Sequence, residues 1–496
     1  MESSSDHSEK KSVQHGPTFE AKEVDVAAQL AAGGDDLPLD PAVAARLRRK
    51  IDMHLLPLMC LLYLMQFADK TTLSQASVLG ILNDAHLSRN QYNWLGTIFY
   101  ISYLVFEYPQ NLGLQRFPVG KWMSMNIFIW SIALTCHAAC NSFGGLFAAR
   151  LILGACAITA GFMLVTAMFY TREEQTKRIG YWFLMNGTAL IILGFVSFGV
   201  AHTNTPQFSP WKWLMIITGL LTLITSVLFW FFFPDSPSNA RFLTPEERVL
   251  AVQRIKVNQA GVENKQWKRE QFIEAMTDPK TWLLGLYAAL GNVWNSFGIQ
   301  RQIIVSQFGF SLFQTTLLGC VDGVVEILVI LAAVSLVPKF GRTITSVTSY
   351  MFAILGSILL QTLPFSNRVG LLFAYWLNMF AVPPFVISLG WTNAIVAGHT
   401  KRTTVNAVLL IAYGIGNAAS PLMWKAEYAP RNQIPMAIIS ASDFASAMLL
   451  VLLSFILSRE NKRRDRERRD ETYDDAYVKK KSSDGTVVVV KVDKVI

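Results

Sequence analysis

The sequence predicts an all-α membrane protein with twelve transmembrane helices in two pseudo-symmetric six-helix bundles. Three observations carry this expectation. Of 496 residues, 52% are hydrophobic and only 16% charged, against about 25% charged in an ordinary soluble domain; mean hydropathy is +0.33. A hydrophilic stretch from Pro234 to Pro279, dense in Lys, Arg, Glu and Gln, divides the chain. Each flank is almost continuously apolar and long enough for about six spans at ~20 residues apiece.

Taken in order, the chain divides into a cytoplasmic N-terminal tail (1–50), a six-helix bundle (51–233), a cytoplasmic linker (234–280), a second six-helix bundle (281–458) and a cytoplasmic C-terminal tail (459–496). Residues 1–40 are rich in Ser, Asp, Glu, Lys and Gly and read as disordered. Pro41 to Lys50 reads as a short helix ending in Arg46, Arg48, Arg49 and Lys50. The first apolar run begins only at Leu55, too late for a cleaved signal peptide, so the first span is expected to stay as its own targeting signal.

Spans are expected near 54–74, 92–112, 122–140, 146–169, 180–200 and 212–233, then 281–307, 315–336, 343–362, 369–391, 404–424 and 436–457. With the N-terminus inside, short cytoplasmic loops hold Arg116, Lys121, Arg172, Lys177, Arg178, Lys339, Arg342, Lys401 and Arg402. The opposite loops hold Arg89, Lys212, Arg368, Lys425 and Arg431. Nine against five follows the positive-inside rule and places both ends in the cytoplasm. The net charge of +9 is therefore a matter of topology; the basic residues form no single face for a nucleic acid. The mixed basic run from Arg459 and the later Val487 to Val490 read as solvated chain.

The two halves echo each other. Arg116-Phe-Pro-Val-Gly120-Lys121 follows the second span, and Pro338-Lys339-Phe340-Gly341-Arg342 follows the eighth. Arg116, Gly120, Lys121, Lys339, Gly341 and Arg342 thus form paired basic turns at a cytoplasmic gate, each cation suited to the helix C-terminus beside it.

The chain resembles the major facilitator superfamily, and within it the fungal allantoate-permease branch of the anion:cation symporters, from about Lys50 to about Leu457. The resemblance rests on Glu107-Tyr108-Pro109-Gln110-Asn111 running into Gln115 to Lys121, Arg150-Leu-Ile-Leu-Gly154, Phe169-Tyr170-Thr171-Arg172-Glu173-Glu174-Gln175, Pro234-Asp235-Ser236-Pro237 and Gly398-His399-Thr400-Lys401-Arg402. It implies the major facilitator fold and secondary transport of a small organic anion, a carboxylate such as allantoate, nicotinate or pantothenate, by alternating access with proton coupling. It also implies a monomer in the plasma membrane, or alternatively in a vacuolar or other internal membrane. Export of a fungal secondary metabolite and a non-transporting nutrient sensor are the alternatives.

Asp69 and Lys70 lie in the first span. From Leu55 to Asp69 is 14 residues, about 21 Å of rise in a core about 30 Å thick, so the pair sits beyond the midplane on the outer side. A charge there costs roughly 2.5–3.5 kcal/mol and needs a partner or water. Neighbours about 100° apart on a helix cannot simply neutralise each other. The resemblance implies an Asp-Arg pair here, the acid for proton coupling and the cation for the substrate carboxylate. Lys70 replaces that arginine and loses its two-donor fork. An interhelical salt bridge, or Lys70 reaching to the outer surface, is the bland alternative.

Arg150 either holds Asp69, meets the anion, or anchors a helix end at the interface. Relatives place a glutamate shortly after the glycine corresponding to Gly154 and before a Pro-Gly. This chain reads Gly154-Ala-Cys-Ala-Ile-Thr-Ala-Gly161-Phe162, without a carboxylate or a proline. Asp322 and Glu326, one turn apart in the eighth span, either replace that glutamate as a proton relay or form a buried bridge to Arg301. Asn292, Asn295 and Asn417 are either substrate donors or polar glue between helices. Glu107 is expected to brace the second span against Arg116. Asn406 and Tyr413 accompany Asn417 as polar candidates in the eleventh span, where Gly414 and Gly416 are expected to serve close helix packing.

The five cysteines fall in apolar segments and read as buried apolar residues. The seven histidines show no ligand spacing, so neither a metal nor any other cofactor is expected. No catalytic triad, phosphate loop or ATPase signature is present, so an enzyme is not expected and an ion or substrate gradient must supply the energy. The expected partners are the organic anion, protons and the lipid bilayer.

Overall fold

The computed structural model describes residues 40–203, 205, 208–259, 269–396, 399–466, 476–481 and 487–492. The N-terminal tail to residue 39, the linker centre at 260–268, Gly398, and residues 467–475, 482–486 and 493–496 of the C-terminal tail lie outside the described residues.

The first half runs α1 (Pro41–Val78), a short α2 (Ile81–Asp84), α3 (Arg89–Arg116), α4 (Val119–Cys136), α5 (Phe143–Ala155), α6 (Thr159–Phe169), α7 (Arg172–Phe183), α8 (Met185–Ala201) and α9 (Pro210–Phe232). The linker carries α10 (Pro245–Gln259) and α11 (Arg269–Thr277). The second half runs α12 (Pro279–Gly291), α13 (Asn295–Gln307), α14 (Leu312–Phe340), α15 (Arg342–Thr362), α16 (Arg368–Leu377), α17 (Val382–Ile395), α18 (His399–Ala419) and α19 (Gln433–Arg466).

Among the described residues, eight helical units are long and apolar enough to cross a membrane. The remaining spans are α3, α4, α5–α6 and α12–α13. The first carries Asn93, Glu107, Gln110 and Asn111, and the last two are interrupted at Cys156–Ile158 and Asn292–Trp294. Freed backbone groups of this kind are tolerated at membrane depth only where protein or a water-lined cavity receives them. A third irregularity, a 3₁₀ turn over Asn378–Ala381, joins α16 to α17.

The short helix expected at Pro41–Lys50 and the first span are one 38-residue helix. Asp40 caps it by accepting from the Ala42 amide at 2.9 Å, with Pro41 in the first turn where its missing N–H costs nothing. No helix breaker separates Lys50 from Leu55, and Pro57 is accommodated inside the helix. The repeat is visible in capping as well: Ser88 with Gln91 opens α3, and Ser311 with Gln314 opens α14, each as a reciprocal capping box. The C-terminal valine run is paired instead of loose. Two strands, β1 (Ala476–Lys481) and β2 (Val487–Val492), run antiparallel with Ala476 opposite Val492, as suits β-branched residues.

Apolar burial drives little association in lipid, so helices meet through small residues. A Cβ on Gly187 would stand 2.6 Å from the Gly323 carbonyl oxygen, and one on Gly323 would stand 2.3 Å from that of Gly187. That mutual contact packs α8 of the first bundle on α14 of the second.

The bundles are joined toward the face opposite the linker. Tyr92 donates to the Ile299 carbonyl at 3.0 Å, Asn93 to the Trp424 carbonyl at 2.6 Å, Gln300 to Asn93 at 2.8 Å and Arg89 to Gln300 at 3.1 Å. At the linker face the contacts stay within each half. Lys50 pairs with Glu247 at 2.6 Å, Arg178 with Asp52 at 2.6 Å, and Arg254 with Glu174, fixing α10 to the first bundle. Lys401 pairs with Glu274 at 2.7 Å and Asp278 at 3.0 Å, fixing α11 to the second.

The cysteines are less uniformly buried than expected. Cys156 and Cys320 are buried, Cys60 and Cys140 half-buried, and Cys136 exposed. In a bundle whose outer surface meets lipid, an exposed thiol is as compatible as a buried one.

Candidate functional site

Asp69 is fully buried among three helices of the first bundle. Its Oδ2 accepts from Trp130 Nε1 of α4 at 2.8 Å and from Thr222 Oγ1 of α9 at 2.7 Å. Its Oδ1 has no hydrogen-bond partner. A carboxylate so placed has one oxygen held by neutral donors and one left for a proton, a water or a cation. Beside Trp130 and Thr222 lies a small apolar void that Gln66, Cys156 and Ile158 also line, at the interruption of the fourth span.

Arg150 is only 2% exposed, which removes the interfacial-anchor alternative. Its charge acts on Asp69, Tyr92 and Tyr100, and on His137. Among the described residues it forms no ion pair, and its Nε and Nη2 lack hydrogen-bond partners. It is carried to this depth by Gly154 one turn later: a Cβ there would stand 2.2 Å from the Phe99 carbonyl oxygen, so α5 lies directly on α3. Ser102 completes that junction by donating to the Leu151 carbonyl at 2.6 Å.

Lys70 points away from Asp69, as about 100° of helical rotation requires. Half-buried, it lies over the Tyr100 ring at 5.1 Å and the Phe67 ring at 5.9 Å. Such contacts hold a cation without neutralising it. Tyr413 of α18 faces Tyr100 at 6.4 Å and Tyr103 at 6.5 Å, with Phe385 of α17 at 5.8 Å. Lys70 therefore stands at an aromatic junction between the bundles, and among the described residues it has no ion pair.

Across the junction, Arg301 lies 4.0 Å from Asp322 and 3.8 Å from Glu326, all three nearly inaccessible. Asp322 also accepts from the Tyr375 hydroxyl at 2.8 Å and Trp376 Nε1 at 2.9 Å. The three asparagines come together: Asn295 donates to Asn292 at 2.9 Å and to Asn417 at 2.8 Å. Asn292 and Asn417 spend their own amides on the Ala288 and Tyr413 carbonyls. The trio ties the broken seventh span to α18. Gly416 assists, since a Cβ there would meet the Ala289 carbonyl oxygen at 2.2 Å, and Gly414 lies equally close to Leu104. Asn406 is exposed.

The paired basic turns are unequal. A Cβ on Gly120 would stand 2.9 Å from Asp235, whose carboxylate also accepts from the Lys121 amide at 3.2 Å. Lys121 Nζ donates to the Trp230 carbonyl. Gly341 turns the chain at φ +81°, but Lys339 and Arg342 are exposed. The difference follows from what comes after each half: α9 ends at Phe232 and doubles into Pro234–Pro237, whereas α19 runs on to Arg466. Arg116 is exposed too, and Glu107 accepts from Asn111 at 3.2 Å instead of pairing with it. Nine residues at about 100° each place Glu107 and Arg116 on opposite sides of the helix.

Residues missed in the sequence are Trp130 and Thr222, the donors to Asp69, and Asp443 of α19, which is wholly inaccessible with neither oxygen hydrogen-bonded. An ionisable residue inside a span is itself the signal that flags Asp443. No group of three or more potential metal ligands occurs among the described residues.

Comparison with known proteins places this architecture. The model of the Major Facilitator Superfamily matches residues 59–421. The thiamine pathway transporter of Saccharomyces cerevisiae is 32% identical over 86% of this chain and 82% of its own length. The allantoate permease of the same yeast is 33% identical over 89% of this chain and 84% of its own. In fold, the chain is similar to the xylose transporter from E. coli in a partially occluded inward open conformation. That match has a TM-score of 0.61 at 14% identity and covers 80% of this chain and 96% of that one.

Proposed function

The chain belongs to the Major Facilitator Superfamily, and on that premise we propose that this transporter carries a small carboxylate across the plasma membrane with a proton. The observation that carries the proposal is the meeting of two unpaired cations with a half-satisfied acid. Lys70 and Arg150 have no ion pair among the described residues, and Asp69 keeps one oxygen free. Cations kept at membrane depth with their nearest carboxylates, Asp69 for Arg150 and Glu326 for Lys70, outside ion-pair distance leave room for an anion that comes and goes. Asp69 takes up and releases the proton; Lys70 meets the carboxylate first, and Arg150 receives it or its water deeper in the first bundle. Allantoate, named for one of the relatives, is a carboxylate of suitable chemistry. Asn295 spends both amide hydrogens on Asn292 and Asn417, so the trio orients the ligand through the second amide hydrogen that Asn292 and Asn417 each keep; Asp322 and Glu326, held by Arg301, are the secondary proton candidates.

The linker face is the cytoplasmic one, by the excess of Lys and Arg there. The hydrogen bonds donated by Arg89, Tyr92 and Asn93 to the seventh span and Trp424, and the one Ser74 accepts from the Gln302 amide, then close the outer side, so this is a state that opens inward. Alternating access exchanges that seal for one at the linker face, where Gly120, Lys121 and Asp235 already form half of a gate and Arg116, Lys339, Gly341 and Arg342 supply the rest.

The test is uptake of labelled allantoate, nicotinate and pantothenate in a host lacking its own carboxylate permeases, with and without a protonophore. Protonophore-sensitive uptake of at least one is expected, and Lys70→Ala is expected to weaken its apparent affinity. No uptake of any, with the protein at the cell surface, would overturn the import reading in favour of export or sensing.

A further inference from the structure

The second bundle buries a carboxyl group that no part of the anion site uses. Asp443, in the first third of α19, has zero exposure, and among the described residues neither of its oxygens has a hydrogen-bond partner. The titratable groups facing it there are Tyr287 of α12 and Tyr350 of α15, and no cation among the described residues acts on it. The two tyrosines are hydrogen-bonded to each other at 3.3 Å. Ser446, three residues on and on the same face of α19, lies 3.8 Å from where a Cβ on Gly291 would stand, and the Tyr350 hydroxyl lies 3.1 Å from that point. Gly291 is the last residue of α12, immediately before the Asn292–Trp294 interruption of the seventh span. Through these two tyrosines and Ser446 the acid is linked to the residue at which the seventh span breaks.

An ionised carboxylate with no cation and no donor is far more expensive to bury than a neutral acid. Contrast Asp322, which has an arginine at 4.0 Å and two hydrogen-bond donors.

We propose that Asp443 is a second proton-binding site, protonated in the state described here and exchanging with water only when α12 swings at Gly291–Trp294. On that movement the carboxyl O–H bond breaks, the proton passes to an entering water, and the Tyr287 and Tyr350 hydroxyls turn to solvate the carboxylate left behind. Closure returns a proton from water to the same oxygen. Occupancy of the site and the bend of the seventh span are then one coupled event. The proposal extends the proton-coupled reading above, but its test needs no transported substrate.

The measurement is infrared difference spectroscopy of the full chain in lipid nanodiscs, following the carbonyl stretch of protonated carboxylic acids. The wild type is expected to show a band that shifts in heavy water, is lost in Asp443→Asn, is kept in Asp69→Asn and diminishes when the sample is made alkaline. Asparagine mimics the protonated acid in size and polarity, so the variant should fold. Should it not, Asp443→Glu supplies the assignment by moving the band. Absence of the band from the wild type, its persistence in Asp443→Asn, or a band unmoved by alkaline pH would each overturn the proposal, whatever the uptake assays show.

Discussion

Asp69 and Asp322 are both buried aspartates that accept from a tryptophan N–H and a hydroxyl, yet their surroundings differ in one respect that separates their roles. Asp322 uses both oxygens, one on Trp376 and one on Tyr375, and has Arg301 at 4.0 Å. Asp69 receives both of its donors on a single oxygen, leaves the other empty, and has its arginine outside ion-pair distance. A buried charge with a full complement of partners holds a structure in one state; one with a vacant oxygen can change its proton or its partner. On the proposed reading Asp69 is therefore the exchangeable acid of this pair, and Asp322 with Arg301 is the scaffold.

The largest effect separating the two is on stability. Removing one member of a buried pair leaves an uncompensated charge at about 3–5 kcal/mol, so Arg301→Met is expected to lower the melting temperature sharply and reduce protein at the membrane. Arg150→Met breaks no ion pair and should fold while losing anion binding. Equal thermal losses in detergent would erase the distinction between the two arginines.

Lys70 gives the next effect. Loss of a charge-assisted contact to the ligand costs about 1.5–3 kcal/mol, or roughly 10- to 100-fold in affinity. Lys70→Ala should raise KM by that range at little change in surface expression, and Lys70→Arg should restore part of it. An unchanged KM for Lys70→Ala would remove it from the anion site.

The smallest lies at the linker face. The Lys50 ammonium, donating at 2.6 Å, holds the Glu247 carboxyl below the usual carboxylate range. A depressed carboxyl stabilises docking of α10 at every pH above its unfolded value of about 4.3, and that support fades as pH falls through the folded value. An exposed pair is worth about 0.2–1 kcal/mol. Glu247→Gln should therefore speed hydrogen exchange in α10 slightly at neutral pH and not at all under strong acid. A difference that grows with acidity would contradict the assignment.

Hydropathy makes the twelve spans, the linker and their order legible because each span must satisfy its own backbone in lipid. The interruptions were not legible. Cys156-Ala157-Ile158 is as apolar as the helices it separates and contains neither Gly nor Pro, so local propensity does not mark the break. The polar residues of the site could be listed, because any charge in a span stands out, but not their partners. Trp130 and Thr222 lie 61 and 153 residues from Asp69, and no local pattern links them to it. Nor does any pattern show that Arg301 serves Asp322 and Glu326 while Arg150 serves neither. Asp443 was legible as an isolated acid; its emptiness of partners needed three helices in place.

On the proposed reading Asp69 moves the proton while other groups hold the anion. Comparing substrate exchange with proton-driven accumulation by Asp69→Asn in proteoliposomes separates the two roles. Exchange of labelled for unlabelled carboxylate is expected to survive while accumulation against a gradient driven by external acid is lost. Retention of full proton-driven accumulation by Asp69→Asn would contradict it.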